Sequence, residues 1–452
     1  MPRERLVVIG GVAAGMSAAS RARRLRPDLE IVVLEKGRHV SYGACGLPYY
    51  LSGQITDWRE LVVYDADFFR EQRGIDVRLE HEAVRIEPAR KLVHFLARNA
   101  REGSLHYDKL VLAAGGAPAE RIPGADSQRV FTCNDLDGTI RLRQFMETEN
   151  PRSAVIVGSG YIGLEVADAF VRRGLRVAIL ERSEAVLEGA EPEIAAQVEA
   201  ELLERGVELI KNSVAREIAS GSGDHALEVR HGASAAHPAD LVLLATGIVP
   251  RVVLAESAGI LLGPTGAIAV DDRMLTSVSS IYAAGDCVET RHLVSGKPCY
   301  FPLGTTANKQ GRVAGENAAG GNAAFPGVVG TLATKVFELE IARTGLSVAQ
   351  SRAAGFQPDS VFIRSTSRAK YFHGQQILLK LIWDRPSARL LGCQMAGREG
   401  VAKRIDVVAL ALQARLRVPD LLYTDLSYAP PFAPVWEPLL IAANEAAKKL
   451  AR

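Results

Sequence analysis

Residues 41–50, which read SYGACGLPYY, contain Cys45 together with residue types that commonly begin a helix. Pro48 suits a first helical turn, so we expect Cys45 near a helix N-terminus, where free amides and the helix dipole favour a thiolate. A thiolate attacks disulfide or persulfide sulfur and is oxidised by peroxides. The alternative is an inert cysteine buried at the start of a helix.

The spacing of the cysteines excludes an internal dithiol mechanism for Cys45. The other four are far apart and form no CxxC pair: Cys133, Cys287, Cys299 and Cys393. The odd count and wide spacing argue against a zinc site and a disulfide framework, and they fit a reducing compartment. The chemistry of Cys45 must therefore use a sulfur or oxygen atom that another molecule supplies.

Two glycine-rich turns have the signature of dinucleotide binding. They lie at residues 10–15 (GGVAAG) and 158–163 (GSGYIG), and each follows an apolar strand and opens a helix. About 20 residues further on, a second strand ends in a carboxylate, Glu35 or Glu181, as ribose binding requires. Free amides and the dipole at a helix N-terminus hold pyrophosphate. Val12 replaces the second glycine of the first turn, whereas the second turn is complete; tight connections in an α/β sheet are the alternative.

The second unit indicates which nucleotide it takes. Glu181 is expected to hydrogen-bond an unphosphorylated ribose and to repel a 2′-phosphate, which favours NADH over NADPH. Arg182 beside it leaves NADPH open. Glu165 lies on the helix after the turn and is either structural or faces a flavin.

Composition and length set the broad class. With 452 residues, 48% hydrophobic residues and a net charge of +2, the chain is typical of a globular protein of two or three domains without a nucleic-acid surface. No apolar run reaches the ~18 residues of a membrane span, so we expect a cytoplasmic protein. The proline-dense residues 428–434 cannot form regular helix or a central strand.

These motifs together closely resemble those of the coenzyme A-disulfide reductases. That family is the single-cysteine branch of the pyridine nucleotide-disulfide oxidoreductases, which also holds NADH oxidases, NADH peroxidases and NADH-dependent polysulfide or CoA-persulfide reductases. The resemblance covers essentially the whole chain, and it rests on residues 10–15, 41–50, 284–286, 303–309 and 428–436.

The resemblance implies an α/β fold with two Rossmann-like dinucleotide-binding domains, arranged as in glutathione reductase, and an α+β C-terminal dimerisation domain. The FAD-binding domain would comprise residues 1–118 and 249–326, the NAD(H)-binding domain residues 119–248, and the dimerisation domain residues 327–452. A homodimer follows, with each active site completed by the partner subunit. Hydride would pass from NADH to FAD, and electrons then to a mixed disulfide between the cysteine and CoA.

The resemblance also assigns residues to the cofactors. The expected FAD-binding residues are Gly10, Gly11, Ala13, Ala14, Gly15, Glu35, Lys36, Val84, Ala114, Gly115, Asp286 and Ala307. The expected NAD(H)-binding residues are Gly158, Gly160, Tyr161, Ile162, Glu165, Glu181 and Gly247. Small residues at several of these positions would let the backbone approach a ligand closely.

For catalysis the resemblance assigns three side chains. Cys45 is the redox cysteine, Tyr428 of the other subunit is the proton donor or hydrogen-bond partner of the sulfur, and Tyr371 is a second candidate. Either tyrosine could instead only pack at the dimer interface. The positions that match substrate-binding residues are Arg21, Arg24, Ser41 and Tyr42, with Arg23 as a substitute for either arginine.

Three other functions compete. In NADH oxidases and peroxidases of this branch the cysteine cycles through sulfenic acid, and a histidine in the first glycine turn assists the oxygen or peroxide chemistry. Here that position is Ala13, which argues against an oxidase or peroxidase. Persulfide or polysulfide could replace CoA disulfide, and the sequence does not separate these acceptors. A redox-sensing flavoprotein without turnover would have little reason to keep both a complete nucleotide turn and Cys45.

Overall fold

The computed structural model describes residues 3–119, 122–221 and 225–451. Its first sheet is parallel, with strand order β18-β7-β1-β2-β3. Strand β1 is an apolar run buried beyond its first residue, as expected for a strand covered on both faces. The first segment contains β1 (Arg5–Ile9), α1 (Ala13–Leu25), β2 (Glu30–Leu34), α2 (Leu47–Ser52), α3 (Ala66–Arg73), β3 (Asp76–Arg78), β4 (His81–Glu87), β5 (Leu92–Ala97), β6 (Glu102–His106), β7 (Lys109–Leu112) and β8 (Gly116–Pro118), with 3₁₀ turns at Ala44–Gly46, Trp58–Leu61 and Pro88–Arg90.

The second sheet repeats this arrangement. Its strands are parallel in the order β12-β11-β10-β16-β9, so the first strand of the unit, β10, again lies inside the sheet with neighbours on both sides. The second segment contains β9 (Val130–Phe131), α4 (Leu136–Glu149), β10 (Ser153–Val157), α5 (Tyr161–Arg172), β11 (Arg176–Leu180), α6 (Pro192–Glu204), β12 (Glu208–Ile210), β13 (Ala215–Ser220), β14 (Leu227–His231), β15 (Ala235–Ala239) and β16 (Leu241–Leu244).

The chain then returns to the first sheet and supplies its strand β18. Helix α8 packs on α1 at very short distance: a Cβ at Gly311 would lie 2.2 Å from the carbonyl oxygen of Ala14. The third segment contains β17 (Ile248–Pro250), α7 (Val253–Ser257), β18 (Ile281–Ala283), β19 (Thr290–Arg291), β20 (Pro298–Cys299) and α8 (Gly304–Ala318).

The C-terminal segment forms an antiparallel sheet, in the order β21-β22-β25-β24-β23, with helices α10 and α12 packed on it. Residues 424–429 and 433–437 have no regular structure, as the prolines predict. The segment contains β21 (Leu332–Val336), β22 (Leu339–Gly345), α9 (Val348–Ala353), β23 (Pro358–Thr366), a 3₁₀ turn (Lys370–Phe372), β24 (Gln376–Asp384), β25 (Leu390–Gly397), α10 (Val401–Gln413), α11 (Val418–Leu422) and α12 (Pro438–Leu450).

The predicted fold class, two Rossmann-like units followed by an α+β unit, is confirmed. The limits predicted for the domains, between 118 and 119, 248 and 249, and 326 and 327, stay a prediction. Within the described residues, no helix combines the length and the apolar character needed to cross a lipid bilayer.

Candidate active site

The first glycine turn joins β1 to α1 through a backbone that only glycine allows. Gly10 has a φ of 99°, and a Cβ there would lie 2.1 Å from the carbonyl oxygen of Ala113. A Cβ at Gly15 would lie 1.8 Å from the carbonyl oxygen of Gly10. The first amides of α1, from Ala13 and Ala14 onward, have no partner within the helix, so this end can hold a pyrophosphate.

The second turn has the same geometry. Gly158 has a φ of 104°, and a Cβ there would lie 2.4 Å from the carbonyl oxygen of Ala245. A Cβ at Gly163 would lie 2.2 Å from the carbonyl oxygen of Gly158, whereas a Cβ at Gly160 would meet no atom within 4 Å. Gly160 thus leaves the N-terminus of α5, which begins at Tyr161 and Ile162, open to a ligand.

Glu35 is held in place by both ends of the first unit. Its Oε2 accepts from the amide of Gly11 at 2.6 Å and its Oε1 from the amide of Gly37 at 2.6 Å. Lys36 is exposed, and Val84 is exposed in the irregularity where β4 pairs with β5. The carboxylate is therefore fixed at the strand end where a ribose would lie.

Glu181 occupies the equivalent place in the second unit. Its Oε2 accepts from the amide of Ser159 at 2.9 Å and from the Ser159 hydroxyl at 2.5 Å, and its Oε1 accepts from the amide of Ser183 at 2.8 Å. Burial alone would raise the pKa of Glu181, but these hydrogen bonds lower it. The carboxylate is thus held ionised, while the neighbouring Arg182 lies 3.6 Å from Glu188.

Unpaired polar atoms mark where a polar cofactor would fit the first unit. Gln310 is 1% exposed; its Oε1 accepts from the amide of Gly285 at 2.9 Å, and its Nε2 has no partner within the described residues. Burial raises the pKa of Asp286, which follows directly. A built Cβ at Gly285 would lie 2.9 Å from Ala14 and 3.5 Å from Ala307. Buried polar groups normally have partners, so this site fits a hydroxyl-rich ligand such as FAD.

The second unit also has orphan hydroxyls. The hydroxyl groups of Tyr161 and Thr246 are buried and have no hydrogen-bond partner in the described part of the chain. After the β-strands, Gly115 and Gly247 have φ of 71° and 101°, and a Cβ on either would meet no atom within 4 Å. Both units therefore present open backbone, here after Ala114 and Thr246, where a dinucleotide could lie.

Cys45 lies between the two nucleotide units. It is in the 3₁₀ turn before α2, and α2 is tied to α5 by a hydrogen bond of 2.9 Å from Arg173 Nε to the Leu51 carbonyl oxygen. The side chain is exposed in the single chain. Burial against the surrounding protein raises the pKa of the Cys45 thiol, and the carboxylates of Glu165 and Asp286 raise it further. One of these carboxylates belongs to the second unit and the other to the first.

The direction of this pKa shift corrects the expectation of a thiolate favoured by a helix start. Helix α2 has only six residues, and its Pro48 lacks an amide hydrogen. Burial favours the protonated thiol first, and the negative charges of Glu165 and Asp286 favour it further.

Glu165 connects three parts of the molecule. The Thr334 hydroxyl, on β21 of the C-terminal sheet, donates to Glu165 Oε1 at 2.6 Å. Burial raises the pKa of Glu165. Burial and the charge of Glu165 also raise the pKa of Tyr49, whose phenol faces the same region as Cys45. Glu165 is thus both structural and close to the reactive sulfur.

Ser41 and Tyr42 link the cysteine loop to the first turn. The Ser41 amide donates to the Gly11 carbonyl oxygen at 2.9 Å, and Ser41 has a φ of 50°. Tyr42 is partly buried, and burial raises the pKa of its phenol. Ser41 therefore joins the loop that carries Cys45 to the first glycine turn, and Tyr42 is the next residue of that loop.

Arg21 and Arg24 both lie on α1 but in different surroundings. Arg21 is engaged by Glu316, with its Nη2 2.6 Å and its Nε 2.8 Å from Oε2. Arg24 is exposed and forms no ion pair with a described residue. Arg23 donates to two backbone carbonyl oxygens and so ties α1 to adjacent loops. Of the three, Arg24 is the one available to an anion.

Tyr371 and Tyr428 lie on neighbouring segments of the C-terminal unit. The Ala369 amide donates to the Pro430 carbonyl oxygen at 3.3 Å and joins the two segments. Tyr371 is 71% and Tyr428 49% exposed, and neither phenol has a hydrogen bond within the described residues. Exposed apolar side chains around them indicate a contact surface: Phe372, Tyr423, Phe432, Val435 and Trp436.

Sequence reasoning missed Tyr49, Thr246 and Gln310. Tyr49 lies inside residues 41–50, a motif that was already singled out, and Thr246 directly precedes Gly247, an expected NAD(H)-binding residue. Gln310 follows Lys309 in helix α8 and had no signal of its own, because its role depends on contact with residues far away in sequence.

Comparison with known proteins agrees with this arrangement. Residues 4–311 match the model of the pyridine nucleotide-disulphide oxidoreductase family, and residues 331–439 match its dimerisation domain. An NAD(P)H coenzyme A polysulfide/persulfide reductase of Pyrococcus horikoshii is 38% identical over 98% of both chains. A coenzyme A disulfide reductase of Staphylococcus haemolyticus is 31% identical over 95% of this chain and 96% of that protein.

Solved structures also resemble the chain over its whole length. A NAD-dependent persulfide reductase from A. fulgidus has a TM-score of 0.94 and 41% identity, and the match covers 98% of this chain and 83% of that one. The fold, the paired nucleotide units and these relatives agree: the chain belongs to the pyridine nucleotide-disulphide oxidoreductase family.

Proposed function

We propose that the protein is an FAD-dependent reductase that uses NADH to reduce CoA disulfide, CoA persulfide or polysulfide through Cys45. The observation that carries the proposal is the position of Cys45, whose thiol is influenced by Asp286 of the first nucleotide unit and Glu165 of the second. A lone reactive sulfur between two dinucleotide turns is what transfer of electrons from a nicotinamide to an external sulfur substrate requires.

The cofactors are assigned to the two turns. FAD, held by the first turn, Glu35 and Asp286 in residues 1–118 and 249–326, would supply the two-electron carrier that accepts hydride from NADH. NADH would be held by the second turn and Glu181 in residues 119–248. The buried Gln310 Nε2 and the orphan hydroxyl of Thr246 support a polar ligand in each.

Cys45 would attack one sulfur of the substrate disulfide once its proton has left. The new bond joins Cys45 Sγ to one half of the substrate, and the S–S bond breaks and releases the other half as a thiol. Two electrons from NADH and a proton then cleave the mixed disulfide, release the second thiol and restore Cys45. The balance is one disulfide, one NADH and one proton to two thiols and NAD⁺.

The leaving sulfur needs a proton donor, which we assign to Tyr428 of a partner subunit, with Tyr371 as the second candidate. Both phenols are exposed and lack hydrogen bonds in the described part of this chain, and both lie in the stretch that matches the dimerisation domain. A homodimer that turns this surface toward the partner's cysteine loop would give each phenol an acceptor.

Arg24, with Arg21 beside it, would bind a phosphate of CoA. Arg24 is the better placed, because Arg21 is already paired with Glu316. Ser41 and Tyr42 would line the path toward Cys45. Glu181, held ionised, would favour NADH over NADPH.

The test is anaerobic NADH turnover of purified enzyme with CoA disulfide, CoA persulfide, polysulfide, oxygen and peroxide, for wild type and Cys45→Ser. Cys299→Ser is the matched control, since Cys299 is partly exposed and outside the site. Fastest turnover with a CoA-linked acceptor or polysulfide, lost only in Cys45→Ser, supports the proposal. Faster turnover with oxygen or peroxide would favour an oxidase despite Ala13.

A further inference from the structure

A largely buried arginine joins the two segments of the C-terminal unit that carry the exposed tyrosines. These are the Tyr371 loop (residues 367–375) and the Tyr428 segment (residues 424–437). Arg404, on α10, donates from Nη2 to the Ser367 carbonyl oxygen at 2.7 Å and from Nε to Glu437 Oε1. Ser367 begins the Tyr371 loop and Glu437 ends the Tyr428 segment, so one guanidinium group connects the two.

The charges of this contact are shielded from solvent. The side chains of Arg404 and Glu437 are 12% and 9% exposed. The remaining nitrogen of Arg404, Nη1, donates to the Gly400 carbonyl oxygen at 3.0 Å, and Glu437 Oε2 accepts from the amide of Leu439 at 2.6 Å at the start of α12. A buried ion pair keeps its geometry, because separating the partners would leave an unpaired charge in the interior. The end of the Tyr428 segment is therefore fixed relative to α10 and α12.

The Tyr371 loop is held at its base. The amide of Ser367 donates to the Gln375 carbonyl oxygen and the amide of Gln375 donates to the Ser367 hydroxyl oxygen, both at 2.8 Å. The Ser367 hydroxyl in turn donates to Glu399 Oε1, just before α10. Ser367 is 2% exposed, whereas Tyr371 is 71% exposed. The direction of the exposed part of the loop thus depends on how its base is seated against α10.

The Tyr428 segment depends on the Tyr371 loop. Among the described residues, one hydrogen bond joins residues 425–436 to another part of the chain, from the Ala369 amide to the Pro430 carbonyl oxygen at 3.3 Å. Ala369 belongs to the Tyr371 loop. A shift of that loop would therefore also move the Tyr428 segment.

We propose that Arg404 is a positioning residue for the proton donor: it fixes the Tyr371 loop and the Tyr428 segment relative to each other, so that the phenols reach the leaving sulfur in the partner's active site. This inference rests on the proposed function, in which one of these tyrosines protonates that sulfur. Lysine cannot replace Arg404, because a single ammonium group lacks the planar fork that serves both the Ser367 and the Glu437 oxygens. Misplacement of a reacting group by about 1 Å can cost about 100-fold in rate.

The test uses the FAD-loaded enzyme and Arg404→Lys, which keeps a positive charge opposite Glu437. The kcat for CoA disulfide should fall about 10- to 100-fold. KM for NADH and the rate at which NADH bleaches the flavin in stopped flow should stay as in wild type, because neither needs the phenols. Glu437→Gln, which keeps an acceptor for the Leu439 amide, loosens the same contact from the other side and should give the same pattern. Lys403→Gln is the matched control, an exposed cation on the same helix, and should keep the wild-type kcat.

A background without the phenols separates positioning from general stability. In the double variant Tyr371→Phe, Tyr428→Phe, adding Arg404→Lys should lower kcat no further, because a displaced phenylalanine has no proton to donate. A further loss as large as the one in wild type would overturn the inference, since Arg404 would then act through stability alone.

The outcomes also separate this inference from the proposed function. Wild-type kcat in both Arg404→Lys and Glu437→Gln, with the tyrosine double variant slowed, would overturn positioning by Arg404 and leave the reductase in place. Unchanged kcat in the tyrosine double variant would remove the proton donors, and this inference with them, while the role of Cys45 would stand. Undiminished turnover in Cys45→Ser would overturn the proposed function itself.

Discussion

Replacing Glu181 by Gln should change which nicotinamide nucleotide the enzyme prefers. The variant removes the charge and keeps one acceptor oxygen, which can serve the amide of either Ser159 or Ser183; at present these amides bind separate carboxylate oxygens at 2.9 and 2.8 Å. Because one of these hydrogen bonds remains and the glycines still set the backbone, the turn should persist and the change should act mainly on the ligand.

The magnitude follows from the two interactions of the carboxylate. Hydrogen bonds to a charged group contribute about 1.5–3 kcal/mol and those between neutral groups about 1 kcal/mol, so NADH should lose about 1–1.5 kcal/mol, or about tenfold in kcat/KM. Two charges 4 Å apart at an effective dielectric constant of 20 repel by about 4 kcal/mol. Because Glu181 is partly exposed, screening reduces this to about 1–2 kcal/mol, and NADPH should gain about tenfold.

The assay is steady-state kcat/KM for NADH and NADPH with one sulfur acceptor, and the preference ratio should shift about 100-fold toward NADPH. Glu188→Gln is the control, since Glu188 lies 3.6 Å from Arg182 and outside the ribose position; it should leave NADH unchanged. A parallel fall in activity with both nucleotides would refute the reasoning, because it would show that Glu181 only holds the turn.

Three further outcomes are expected. Burial raises the pKa of the Glu165 carboxyl in the folded protein above its value in the unfolded chain, so ionisation of Glu165 destabilises the fold once the pH exceeds the unfolded-state pKa. Glu165→Gln should therefore raise the melting temperature at pH 8 but not at pH 4, and an equal gain at both pH values would contradict this. Gly163→Ala would place a Cβ 2.2 Å from the carbonyl oxygen of Gly158 and so displace α5. KM for NADH should rise at least about tenfold with FAD content unchanged, and a wild-type KM would argue against this close packing. Glu201 is 1% exposed and is paired with Arg398 at 2.8 Å and with Arg205 at 3.3 Å. Arg398→Met removes the first of these partners, so the free energy of unfolding in urea should fall by about 1–3 kcal/mol, less than for a fully unpaired buried charge. An unchanged free energy of unfolding would mean that Arg205 alone is enough to stabilise Glu201.

The nucleotide units were predictable because their signals are local. A strand, a glycine turn, a helix and a terminal acid lie within about 30 residues of each other. Gly15 and Gly163 also have a steric reason within their own turns, the carbonyl oxygens of Gly10 and Gly158. The contacts of Gly10 with Ala113 and of Gly158 with Ala245 are the longer-range part of the same pattern.

Features that depend on distant residues were not predictable in the same way. The sequence around Cys45 suggested a thiolate, but burial, and then the carboxylates of Glu165 and Asp286, 120 or more positions away along the chain, raise the pKa of the thiol. Arg21 looked equivalent to Arg24 until the structure placed Glu316 beside it, from 295 positions away. In each case the surroundings that decide come from other elements of the fold.

The central claim is that Cys45 alone carries the sulfur chemistry, and it is tested most directly by trapping the intermediate. The enzyme would be incubated anaerobically with CoA disulfide, digested, and its cysteine peptides identified by mass spectrometry before and after one equivalent of NADH. We predict CoA on the peptide that contains Cys45, removed by NADH. CoA on another cysteine, or undiminished turnover in Cys45→Ser, would contradict the account.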